Sequence, residues 1–251
     1  MDMELKDKFI EKWRNYFRSA EFPVIFYYAD EVRGAEPVEA PKGHKCIMGE
    51  LAKVRQGASL YFGAETIGCF GGKRYLGFGG ELMPDFEYFL SCGIEGKLEG
   101  ERYKKTPEIV REMMKKAPTM KAPTKYIVFK RWDMLAEYDE PEVVIFFGHA
   151  DVLSGLFTLA NFDEVEANAV FAPFSAGCGS IVQYPYLEKD SDRPRAVLGM
   201  FDVSARPFVR PDHLTFAVPM CRFVRMIENM DESFLITGSW SKVRSRIKPS
   251  P

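Results

Sequence analysis

Apolar residues open the chain at a four-residue spacing, Leu5, Phe9, Trp13 and Phe17, among lysines and glutamates. That period lays one apolar stripe along a helix, which Pro23 closes. "VIFYYAD" then reads as a buried strand, and "EVRGAEPVEAPKG" as a loop broken by prolines and glycines. "KCIMGELAKVRQG" predicts a short helix ended by Gly57, "ASLYFG" a strand, and "AETIGCFGG" a turn into a helix of small residues. Thr106 and Pro107 supply the start of another helix, with Ile109, Val110, Met113 and Met114 facing inward and Pro118 beyond its end. "KYIVFKRW" and "PEVVIFFGHAD" are strands, "VLSGLFTLANF" a helix and "EANAVFAPF" a strand. Two more strands, "RAVLGMFDV" and "HLTFAVP", lead into a helix that begins at Pro219 and carries Phe223, Val224 and Ile227 on one side. The alternation predicts an α/β fold of mixed α+β kind.

Part of this pattern occurs twice. With a constant offset, Phe62 falls on Phe171, Thr66 on Ser175, Gly68 on Gly177 and Cys69 on Cys178. "GHKCIMGEL" faces "GHADVLSGL", and "VIFYYAD" faces "VIFFGHAD". Two related strand-helix-strand-helix halves, about 22–80 and 141–190, are expected from an internal duplication within one globular domain, followed by further C-terminal strands and a helix. The competing account is coincidence among common apolar strings. Duplicated halves packed about a pseudo-twofold axis would face each other across a cleft lined by His44, Cys46 and Cys69 on one side and His149, Asp151 and Cys178 on the other.

The strand followed by a helix carrying "KC", the segment "CFGGKRYLGF", the later "GCGS" and the strand before "VPMCRFVRMIENM" together resemble the uncharacterised ArCR family, a domain of unknown function found in archaea and anaerobic bacteria. The resemblance spans roughly Pro23 to Phe234 and implies a cytosolic protein. It carries no activity with it.

Composition narrows the partners. The 251 residues are 46% hydrophobic, enough for a substantial core, and 34 basic against 36 acidic side chains leave a net charge of -2. No global field draws such a chain to nucleic acid or to a membrane surface, so neither is expected as a partner. The N-terminus is too charged for a signal peptide, and the longest aliphatic and aromatic run, "VVIFF", is far short of the roughly 20 residues of a membrane helix. A cytoplasmic location follows as the expectation. Five cysteines, an odd number without CxxC spacing, argue against a disulfide framework and a zinc ribbon.

Candidate chemistry centres on thiols. Cys69 and Cys178 are each expected at a helix start, where the macrodipole favours thiolate, and Gly68, Gly71, Gly72, Gly177 and Gly179 would let a cofactor approach the backbone. An iron-sulfur cluster or another metal would then take Cys46, Cys69, Cys178, His44 and His149 as ligands. Against this stands tight packing, because buried cysteine between small residues suits a strand-to-helix turn. Cys92 and Cys221 are expected only to pack. Neither a GxxxxGK phosphate loop followed by Ser or Thr nor a GxGxxG fingerprint is present, although Lys73 and Arg74 stand where an anion could meet a helix start. A lysine-free run of arginines from Arg193 to Arg225 makes Arg206 and its neighbours candidates for an anionic small molecule, with a solvated strand face as the plainer reading. The basic tail, 241–251, is expected to be flexible.

The leading expectation is therefore a cytosolic protein holding a redox centre, metal or anionic small molecule between pseudo-symmetric halves. The alternative is a non-catalytic ligand-binding or oligomerising module with structural cysteines, so homo-oligomerisation stays open. A covalent thiol enzyme with His44 or His149 as base is a third class. Whether the protein is an enzyme is left undecided.

Overall fold

The computed structural model describes residues 1–79 and 81–248. In chain order these form α1 (Met3–Phe17), β1 (Val24–Ala29), β2 (Glu36–Pro37), α2 (Ile47–Arg55), β3 (Leu60–Phe62), α3 (Phe70–Tyr75), α4 (Phe86–Phe89), α5 (Pro107–Lys116), β4 (Tyr126–Arg131), β5 (Val143–Gly148), α6 (Ala150–Ala160), β6 (Val170–Phe171), α7 (Tyr184–Glu188), β7 (Ala196–Gly199), β8 (Leu214–Pro219), α8 (Met220–Asn229) and α9 (Gly238–Arg244). A π-helical turn, Gly179–Gln183, runs directly into α7. The eight strands make one mixed sheet in the order β2-β3-β4-β1-β5-β8-β7-β6. The expected mixed α+β class holds.

The continuous apolar strands are explained by burial on both faces of the sheet. In β1, Ile25 and Tyr27 enter one core while Val24, Phe26 and Tyr28 enter the other; in β5, Val144 and Phe146 oppose Val143, Ile145 and Phe147 in the same way. The first face is covered by α1, α6, α8 and α9, through Phe9, Trp13 and Phe17, Leu156, Phe223 and Trp240. The second is covered by α2 and the π-helical turn, through Ile47, Leu51, Val54, Ile181 and Val182. Local signals agree with these bounds. Asp2 caps α1 by accepting from the Glu4 and Leu5 amides, and Thr106 caps α5 with Pro107 in its first turn. α1 stops at Phe17 rather than at Pro23, because Arg18 takes a positive φ of 54° and turns the chain.

Strand order reads alike from either edge. The central pair is antiparallel, with Val24 opposite Ile145, Ile25 opposite Val144 and Phe26 opposite Val143, a register that maps onto itself when β1 and β5 are exchanged. β4 pairs with β1 as β8 pairs with β5, and the outermost pairs, β2 with β3 and β6 with β7, are both parallel. The two halves thus share one sheet. Topology also corrects the residue matching: Phe62 ends β3, one strand in from its edge, whereas Phe171 ends the edge strand β6. The counterpart of β3 is β7, so "FGAETIGC" and "FAPFSAGC" occupy different places in the two halves.

The C-terminal segment is better ordered than expected. Residues 241–244 complete α9, Trp240 donates to the Tyr16 carbonyl at 2.8 Å, and Ile247 is buried. Of the expected tail, 249–251 lie outside the described residues, as does residue 80 at the end of the first expected half. Among the described residues no helix is long and apolar enough to cross a membrane.

Candidate functional site

Three short connections bring three cysteines to the second face of the sheet. Cys46 precedes α2, Cys69 precedes α3 and Cys178 precedes the π-helical turn. Cys46 and Cys178 both pack against the core of this face. The Cys46 and Cys69 loops are tied by the Lys45 amide, which donates to the Gly68 carbonyl at 3.4 Å. A Cβ at Gly68 would lie 2.7 Å from Pro41 and 2.9 Å from the Lys45 nitrogen, so only glycine allows that approach. A Cβ at Gly72 would meet Ile67 at 2.8 Å, the Cys69 sulfur at 2.9 Å and Ile47 at 3.5 Å. On the far side of α3, a Cβ at Gly179 would lie 2.1 Å from Ser175 Oγ and 3.0 Å from the Tyr75 ring. α3 is therefore wedged between the starts of α2 and of the π-helical turn.

Asp202 closes this group. Its carboxylate accepts from the Gly177 amide at 2.9 Å and from the Ser204 amide and hydroxyl at 3.1 and 2.7 Å. Gly177 in turn is pressed toward Ala205 and the Met200 sulfur. The glycines expected to admit a cofactor thus serve mainly to let loops touch, with Gly71, whose nearest neighbours would be 3.9 Å away, as the roomy exception.

The electrostatics reverse the expectation of thiolates at helix starts. Burial pushes the Cys46 thiol up, and nearby Cys69 and Asp202 add to the rise. Burial also raises Cys69, although its sulfur accepts a hydrogen bond from the Gly72 amide at 3.0 Å. Cys178, partly buried by its surface exposure, is raised furthest above the ordinary thiol range, by desolvation first, and Cys69, Cys46 and Asp202 all disfavour a further negative charge. Magnitudes explain the outcome. A helix terminus offers about 0.3–1 kcal/mol, less than one pKa unit, whereas burial can move a group by roughly 3–5 units. The same enclosure pushes Tyr75, beside Cys178, up to about 12.

Several large apolar side chains on these connections are exposed. Phe70, Phe174, Phe201, Val203 and Phe208 are large, exposed and adjacent in sequence or space to Cys69, Cys178, Asp202 or α2. The Lys104 ammonium stands 3.9 Å over the Phe174 ring, so the segment carrying Tyr103 and Lys104 crosses here. The hydroxyls of Tyr103 and Ser175 are buried without a hydrogen-bond partner. Sequence reading missed Asp202, Tyr75 and this rim. The only available signal was apolar residues on either side of an acidic one in "FDV".

Other candidates go elsewhere. His44 is exposed, in a surface hollow of about 300 Å³ shared with Glu39, Pro41 and Lys42. His149 caps α6, on the opposite sheet face from the cysteines, with Nδ1 accepting from the Asp151 amide at 3.3 Å. It cannot join them, and Asp151 pairs with Arg246 at 3.1 Å. Arg206 is spent on the carbonyls of Arg210, Pro211 and His213. Its neighbours are similarly engaged: Arg193 with Glu164, Arg195 with Glu188, Arg210 with Asp212, and Arg222 and Arg225 with Asp163. The arginine run is a set of ion pairs rather than an anion site. Cys92 and Cys221 are exposed rather than packed. Among the described residues no three His, Cys, Asp or Glu side chains stand in an arrangement that could hold a metal ion. A hollow of about 460 Å³ between Met1, Tyr28, Glu142 and Met220 contains no cysteine.

Fold and site together describe a mixed α+β protein with a single eight-stranded sheet and three cysteines at the starts of helical elements on one of its layers. The chain belongs to the DUF169 family, described as Uncharacterised ArCR, whose model matches residues 13–229. No curated protein and no solved structure gives a significant match.

Proposed function

We propose that the protein binds a redox centre through Cys46, Cys69 and Cys178, at the starts of α2, α3 and the π-helical turn. One observation carries the reading: Cys178 feels the charges of both Cys69 and Cys46, which come from connections far apart in sequence, while Cys92 and Cys221 are exposed. The neighbouring thiols raise the cost of ionising Cys178 and Cys46, and a bound cationic centre removes that cost. The free cysteines suit a reducing cytosol. The palindromic strand order supports descent of the two halves from one duplicated unit.

Protein purified without oxygen tests this by metal analysis and visible absorption. The intact chain retains metal, and Cys178→Ala abolishes retention while Cys221→Ala leaves it unchanged. A chain that stays metal-free and colourless when offered iron, zinc or copper would refute the reading.

A second reading is favoured by the exposed rim of Phe70, Phe174, Phe201, Val203 and Phe208. Apolar side chains gathered in this way suit a self-associating surface. Sedimentation decides it: a dimer disrupted by Phe201→Glu and indifferent to the cysteines would put association before cofactor chemistry.

A further inference from the structure

We propose that residues 81–119 form a lid, hinged where Gly77 meets Ala122, which opens and closes over the loop from Phe174 to Gly177 that leads into Cys178. The inference goes beyond the thiol reading and does not depend on what the cysteines bind. It starts from burial. Of residues 81–119, Ser91, Gly93 and Val110 alone are buried, and no part of the segment belongs to the core on either face of the sheet. A stretch of this length with no share in either core meets little resistance to local displacement.

The segment holds its own shape instead. Its two helices, α4 and α5, pack on each other. The Glu101, Arg102 and Lys104 amides donate to the carbonyls of Phe89, Ser91 and Leu90 at 2.7, 3.0 and 2.9 Å. Lys97 pairs with Asp85 at 2.6 Å and Arg111 with Glu87 at 3.2 Å. All of these bonds survive when the segment moves as one body. Its two ends, moreover, meet at one place: the Ala122 amide donates to the Gly77 carbonyl at 2.8 Å, and Phe78, Met120 and Ala122 pack against the second core. Gly77 has a φ of 80°, and a Cβ there would lie 2.4 Å from the Ala122 nitrogen, so the crossing point requires glycine. Chain ends anchored side by side make a hinge about which the body between them swings.

Away from the hinge the attachment is weaker. The Lys104 ammonium stands 3.9 Å over the exposed Phe174 ring, while Gln183 donates to the Pro118 carbonyl at 3.1 Å, close in sequence to the hinge. Tyr103 and Ser175, each next in sequence to one member of the Lys104–Phe174 pair, bury their hydroxyls without a hydrogen-bond partner. Closure forfeits the hydration of these hydroxyls and so opposes the attraction of the latch. A cation over an exposed ring set against two unpaired hydroxyls leaves the closed state favoured by a small margin, which is the balance a gate needs.

The exposed cysteines supply the probes, Cys92 on the lid and Cys221 on α8. Full-length reduced protein is labelled at these two with donor and acceptor dyes at pH 7, and single-molecule energy transfer is recorded for wild type, Lys104→Ala and Lys104→Arg. Wild type is expected to show one major transfer efficiency and a minor one holding up to about 10% of the molecules. Lys104→Ala enlarges the minor population about two- to fivefold, as loss of an exposed cation-π contact requires, and Lys104→Arg keeps the wild-type population. In unlabelled protein, alkylation of Cys178 at pH 9 rises by the same factor in Lys104→Ala while that of Cys221 is unchanged. A single efficiency in all three proteins, a minor population indifferent to Lys104, or a Cys178 rate equal in wild type and Lys104→Ala overturns the proposal. None of these readouts involves metal, so their failure leaves the thiol reading standing, and failure of metal retention leaves the lid.

Discussion

A cysteine's chemistry here is decided by its enclosure rather than by its position at a helix start. Cys46, Cys69 and Cys178 all have thiols raised above their ordinary range by burial, with Cys69 and Cys46 adding to the rise at Cys178 and Cys69 to that at Cys46. In the metal-free protein, iodoacetamide at pH 7 should modify exposed Cys92 and Cys221 and spare the other three, whose rates should climb only above about pH 9. Linkage gives the accompanying stability change. Groups with raised folded values bind more protons folded than unfolded, so their stabilising contribution is complete below the unfolded thiol pKa of about 8.5 and declines as pH rises through the folded values. A urea midpoint that falls between about pH 8.5 and 10, less steeply in C178S than in wild type, is the expected result. Rapid alkylation of Cys178 at pH 7 would contradict it.

At the scale of elements, the glycines flanking the cysteines have opposite roles within one helix. Gly72 faces Ile67 and the Cys69 sulfur at less than 3.0 Å from a would-be Cβ, while Gly71 faces nothing nearer than 3.9 Å. Gly71→Ala should therefore stabilise by up to about 1 kcal/mol through helix propensity. Gly72→Ala gains the same propensity but overpacks, at a cost of about 1–3 kcal/mol, and should come out destabilised in urea titrations with Cys69 displaced. Equal effects from both would show that α3 is not wedged as described. Much of this layout was legible in the sequence, because α1, β1, β5, β8 and α8 declare themselves by period, caps and β-branched runs. The π-helical turn Gly179–Gln183 was not, since its small residues read equally well as a tight turn. Nor were the roles of the arginines legible, because Arg222 meets Asp163 across 59 intervening steps of chain that no local pattern connects.

For the whole molecule, the central fact is that one sheet carries both halves, which turns a sequence resemblance between β1 and β5 into a spatial relation. The self-matching register of Val24, Ile25 and Phe26 with Val143, Val144 and Ile145 sets the halves edge to edge. Their second-face connections then meet, which brings Cys178 to Cys46 and Cys69 and leaves His149 on the other layer. Sequence alone could nominate the cysteines and the histidine together, because only strand order separates them by face. The direct measurement is thiol cross-linking of the reduced, metal-free protein at pH 9 with dibromobimane, which bridges only neighbouring sulfurs, followed by peptide mapping. The account predicts bridges among Cys46, Cys69 and Cys178, and none to Cys92 or Cys221. Bridges that include Cys92 or Cys221, or a Cys178 never bridged to either partner, would contradict it.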